Sequence, residues 1–96
     1  MSPKNKKKLQ KIRKKLDKLD DEFLQLIKVR TNLVNKVLRL KEFKSEIVDN
    51  KRIKKILFNI KKKSLKKKID SNITKKIWKN MILAYITYER KNFKKK

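Results

Sequence analysis

Apolar residues recur along the first third of the chain at alternating steps of three and four. They are Leu9, Ile12, Leu16, Leu19, Phe23 and Leu26, then Arg30 interrupts, then Leu33, Val37 and Leu40 follow. That period is the apolar stripe of a long α-helix packed along its whole length. It predicts a first helix from about residue 5 to about residue 43, close to 57 Å long at about 1.5 Å per residue. Nine of the ten stripe positions are apolar and the tenth is a guanidinium. A buried Arg costs several kcal/mol unless an anion meets it. Either the chain supplies that anion or a ligand does.

Ser2 and Pro3 ahead of this stripe read as an N-cap and a first-turn proline. Lys44 to Val48 reads as a short connection. Asp49 or Asn50 can cap a second helix whose apolar face is Ile53, Ile56, Leu57 and Ile60. Lys61 to Lys68 is mostly a charge run of the kind that can fray. Asp70, Ser71 and Asn72 offer a second set of caps, and Ile73, Ile77, Trp78, Met81, Ile82, Tyr85 and Tyr88 then follow at helical spacing. The expected fold class is all-α, with one long and two shorter helices in a single domain, residues 1–96. The basic ends, about 1–8 and 91–96, are expected to be loose.

Composition agrees. The 96 residues include no Gly, one Pro (Pro3) and one Ala (Ala84), with few turn signals. Long helices in so short a chain bury little surface alone, so a partner subunit is expected to cover the stripe. There is no Cys and no His. Disulfides, thiolate chemistry and the common metal-ligand clusters are therefore not expected. No apolar run reaches the roughly 18 residues of a membrane span, and no apolar segment follows the basic N-terminus as a secretory signal requires. A cytoplasmic protein is expected.

The net charge is +24. One reading is binding to nucleic acid or an anionic membrane. The other is compositional drift, since a chain rich in Lys, Ile and Asn and poor in Gly, Ala and Pro is what AT-rich coding produces. Drift swells Lys and not Arg, which makes the Arg positions informative. Only five of the 33 basic residues are Arg, at positions 13, 30, 39, 52 and 90. At these the planar, bidentate fork of Arg offers what the point charge of Lys does not.

Lys41 follows Arg30 by eleven residues, about three helical turns, so both cations would share a face about 16 Å apart. Two long side chains can clasp a small anion across that gap. Arg13 lies seventeen residues before Arg30, about 25 Å away and about 100° round the helix. It cannot share a pocket with Arg30 on its own helix, but it can from a second, antiparallel copy. Ordinary solvated charge beside a packed stripe is the other reading of Arg13 and Lys41. Glu89 is the only acid after Asp70. Trp78, Ile82, Tyr85 and Glu89 fall at i, i+4, i+7 and i+11, on one face. Glu89 is then either a surface partner for Lys near a helix end or a carboxyl at the edge of an apolar, cation-lined pocket.

The stretch from Ile12-Arg13 through Leu16-Asp17, Leu19-Asp20, Phe23 and Leu26-Ile27 to Arg30 resembles the opening of the all-helical (AroQ-class) chorismate mutases. Leu33-Val34 through Lys41 continues the resemblance. Asp49 and Arg52 fit the start of that family's second helix, and Ile77-Trp78 through Ile82 its third. Any one motif is weak, but their order and spacing over about residues 9–90 are fairly specific. The resemblance implies three helices per protomer, an entwined homodimer, no cofactor, and two sites each built from both chains. It implies that Arg30 and a partner's Arg13 hold the carboxylates of chorismate. Lys41 and Glu89 would meet the ether oxygen of the breaking C–O bond. Asp49, Arg52, Ile53 and Tyr85 would line the pocket.

Two positions depart from the family pattern. Ile53 stands where a Glu usually contacts the substrate hydroxyl, and Tyr85 where a small polar residue is common. A Glu89 that donates to an ether oxygen must carry a proton, so activity is expected to fall as pH rises through its titration. Three competing readings remain. Isochorismate pyruvate lyase uses the same scaffold. A basic helical nucleic-acid binder has the charge but no recognised module, so nucleic acid is not expected beyond non-specific charge binding. A coiled-coil assembly protein explains the stripe, and a polar stripe residue can fix its register.

Overall fold

The computed structural model describes residues 1–94. It contains three α-helices, α1 (Pro3–Leu40), α2 (Asn50–Lys66) and α3 (Ser71–Asn92), and a single 3₁₀ turn at Lys44–Glu46. No strand occurs among the described residues, so the fold is all-α. No helix among them is long and apolar enough to cross a membrane. By its internal contacts the chain divides into two units, Met1–Val34 and Asn35–Lys96.

The first unit is the greater part of α1. Its start follows the local chemistry. The Asn5 N–H bonds the Ser2 hydroxyl at 3.2 Å, and the Lys6 N–H bonds the Ser2 carbonyl at 2.9 Å. Pro3 takes the first helical position, where its missing N–H loses nothing. The helix begins at Pro3, within the basic lead-in. The apolar stripe lies open in the lone chain. Ile12 is 55% exposed, Phe23 62% and Leu26 64%.

The second unit holds the end of α1, the 3₁₀ turn, α2 and α3. The chain leaves α1 at Leu40, three residues before the expected end. The cause is Glu46, whose carboxylate accepts the backbone N–H groups of Glu42 (3.0 Å) and Phe43 (2.8 Å). A side chain that captures these donors competes with further helix. Leu38 and Ile47 are buried on either side of this bend.

Helix α2 starts as the sequence reading expects, with the Asp49 carboxylate accepting the Arg52 N–H at 3.0 Å. It does not fray in the charge run. It continues to Lys66, held by Ser64, which is buried. The Ser64 hydroxyl bonds back to the Ile60 carbonyl at 2.6 Å and meets the Thr74 hydroxyl of α3 at 2.8 Å. The helix ends in a Schellman motif. Ile69 N–H reaches the Ser64 carbonyl at 2.9 Å and Lys68 N–H the Leu65 carbonyl at 3.1 Å. The motif needs a left-handed residue, and in a chain without Gly that residue is Lys68, at φ 59°. Asp70 then caps α3 through the Asn72 N–H at 2.9 Å. Helix α3 runs on to Asn92, into the segment expected as a basic tail. Residues 95 and 96 of that expected tail lie outside the described residues.

Candidate active site

The end of α1 and the bend after it meet α3 through two polar contacts. The Tyr88 hydroxyl donates to Asn35 Oδ1 at 2.8 Å, and Lys41 Nζ donates to Glu89 Oε1 at 3.1 Å. Lys41 is the first residue beyond α1, its N–H still bonded to the Leu38 carbonyl at 3.2 Å. The Lys41 and Glu89 side chains are 18% and 10% exposed. A carboxylate is buried this far only when a partner satisfies it, and the Lys41 ammonium is that partner.

Lys41 also lines an open cleft with Glu46, Val48, Asp49, Asn50 and Lys51. Lys41 is thus common to the ion pair with Glu89 and to the lining of this cleft. Asp49 is exposed and engaged as the α2 cap, and Arg52 meets it through its backbone N–H, with an exposed side chain. Ile53 is half-buried, and its N–H closes the first turn of α2 on the Asp49 carbonyl at 3.0 Å. Packing explains an Ile there. Tyr85 is half-buried, one turn before Glu89. Its ring stands edge-on to that of Tyr88, centroids 6.4 Å apart and planes at 88°, a favourable aromatic geometry.

Arg13 and Arg30 belong to the first unit. Arg13 is exposed. Arg30 is half-buried on the stripe, between Leu26 (64% exposed) and Leu33 (55%), and its Nε is out of contact with solvent. Both lie on the unbroken helix α1, so the helical rise keeps them about 25 Å apart within one chain.

Sequence reasoning placed Tyr88 on the apolar face of α3 and overlooked its hydrogen bond to Asn35. The available signal was general, because a Tyr hydroxyl on a packed face needs a partner. Glu46 was missed as well. A carboxylate shortly after a helix is a common acceptor for freed backbone N–H groups.

The residues thus assembled define an all-α protein with fixed charges at its candidate site, in a chain that has neither Cys nor His for nucleophilic or general-base work. The family model of chorismate mutase type II matches residues 12–90, and the chain belongs to that family. Its class of enzyme is accordingly an isomerase, chorismate mutase. No curated protein and no solved structure matches the chain.

Proposed function

We propose that the chain catalyses the Claisen rearrangement of chorismate to prephenate as an entwined homodimer, in the cytoplasm, on the route to phenylalanine and tyrosine. The observation that carries this reading is the Lys41–Glu89 pair, a buried carboxylate holding an ammonium at the edge of an open cleft.

The reaction is unimolecular. The ether C–O bond breaks while a C–C bond forms between the enolpyruvyl arm and the ring, and no nucleophile is needed. The enzyme must fold the arm over the ring and stabilise the charge that develops. Negative charge grows on the ether oxygen, so donors fixed at that point lower the barrier most. In this reading Lys41 is one donor and contacts a substrate carboxylate as well. Glu89 holds Lys41 in place and lies beside the same ether oxygen. Arg30 takes one carboxylate of the dianion through its bidentate fork. Asp49, Arg52, Ile53 and Tyr85 form the walls, with Ile53 gripping the ring hydroxyl less well than a Glu does.

The dimer completes the site. The exposed stripe from Ile12 to Val37 is the surface that a second α1 would cover, and each buried Leu- or Phe-sized side chain stabilises such an interface by about 1.5–3 kcal/mol. Arg13 is too far from Arg30 to act beside it within one chain. From an antiparallel partner helix it reaches the other carboxylate.

Purified protein mixed with chorismate tests the proposal by the decay of the substrate's ultraviolet absorbance. Turnover to prephenate, lost in Lys41→Ala with the helical circular dichroism retained, supports it. Absence of turnover with chorismate, or turnover of isochorismate to release pyruvate instead, overturns it.

A further inference from the structure

The first turns of α1 carry a second pattern that the proposed reaction does not use. Lys4, Lys8, Lys11, Lys15 and Lys18 follow one another at steps of four, three, four and three. All five lie in α1 and all are exposed. The spacing puts them in one row about 21 Å long, roughly 100° round the helix from the apolar stripe. No acidic residue falls on this row before Glu22, and among the described residues none of the five is in an ion pair. The Ser2 cap and Pro3 start the helix upstream of the row, so the charges are held in register before any partner arrives. Lys4, Lys8 and Lys11 precede the stretch that matches the family.

We propose that this row is a docking surface for the phosphate backbone of double-stranded nucleic acid, bound without regard to sequence. Five ammonium groups in line, with no acid among them before Glu22, complement a strand of regularly spaced phosphates. Their binding releases condensed counterions. The row contains no Arg, so it lacks the forks that read base edges. It contains no apolar residue, so it lacks the buried core that a protein interface needs. A membrane-surface helix must sink an apolar face into the lipid. On this segment that face is the stripe, which the proposed dimer occupies.

The test compares the full chain with two variants of equal charge. One replaces the row (Lys4→Gln, Lys8→Gln, Lys11→Gln, Lys15→Gln, Lys18→Gln). The other replaces five exposed lysines of α2 (Lys54→Gln, Lys55→Gln, Lys61→Gln, Lys63→Gln, Lys66→Gln). Gln keeps nearly the helix propensity of Lys, and circular dichroism verifies the fold of each. Binding to a labelled 30-base-pair duplex of arbitrary sequence is measured over a range of salt, and binding to vesicles of phosphatidylserine and phosphatidylcholine alongside. The full chain is expected to bind the duplex. The row variant should bind at least about tenfold more weakly, with a salt slope shallower by about 4 to 5. The α2 variant should keep most of the affinity. Equal loss in both variants makes the lysines general surface charge and overturns the proposal. So does failure to bind the duplex, and so does row-dependent binding to vesicles with none to the duplex. Chorismate turnover is read separately, and the row variant is expected to retain it.

Discussion

Lys41 Nζ donates to Glu89 Oε1 at 3.1 Å, across 48 positions of sequence. In this arrangement Glu89 is an acceptor. Glu89→Gln replaces it with an amide that carries an N–H donor. If the side chain at position 89 meets the ether oxygen as proposed, Glu89→Gln should keep substantial turnover, whereas Glu89→Ala should lose about 10²-fold in kcat. The measurement is kcat for both variants. An equal loss in the two would leave Glu89 as the residue that positions Lys41.

Arg30 and Lys41 differ in what their replacement should do. If Lys41 serves the ether oxygen as proposed, Lys41→Ala removes a preorganised donor and is expected to lower kcat by about 10²–10³. It also leaves the buried Glu89 without its ammonium, so some loss of thermal stability should accompany it. Arg30→Lys keeps the charge and loses the fork. If Arg30 holds a substrate carboxylate in the proposed dimer, the expected signature is a raised KM with association and helicity unchanged, because the carboxylate is then gripped through one contact instead of two. Steady-state kinetics beside analytical ultracentrifugation separates these outcomes. An Arg30→Lys variant with unchanged KM would mean that the guanidinium serves packing alone.

What the sequence revealed was mostly local. The alternation of three and four found α1, and short polar side chains found the starts of all three helices, because Ser2, Asp49 and Asp70 bond N–H groups two or three residues away. Ends were harder. Helix α1 stops at Leu40 because Glu46 folds back onto Glu42 and Phe43, and nothing in the apolar period announces that. Lys61 to Lys68 read as a charge run that can fray, but the buried Ser64–Thr74 contact anchors it to α3. The candidate residues were legible as residue types at family spacing. That Lys41 and Glu89 touch was not legible, since their contact depends on how α3 packs against the bend after α1.

The Lys68 turn gives a stability prediction. A left-handed non-Gly residue costs roughly 1 kcal/mol or more, and a Schellman motif usually places Gly there. Lys68→Gly relieves that strain but raises the entropy of the unfolded chain. Relief should win by about 0.5–1 kcal/mol, since the rest of the motif is already formed. Urea denaturation monitored by circular dichroism should show a higher midpoint with an unchanged slope. A lower midpoint would show that the Lys68 side chain contributes more than its backbone strain costs.

The proposed sharing of each site between two chains makes the sharpest prediction. If each site takes Arg13 from one chain and Arg30, Lys41 and Glu89 from the other, Arg13→Ala and Lys41→Ala homodimers each carry two defective sites. A heterodimer of the two places both defects in one site and leaves the other whole. Mixing the inactive variants, unfolding and refolding them together, should therefore restore activity. Random pairing makes half the dimers mixed, each with one intact site, so recovery should approach about a quarter of the unmutated rate. The same treatment of either variant alone supplies the baseline. No recovery, with heterodimers demonstrated by mass, would confine each site to a single chain and remove Arg13 from it.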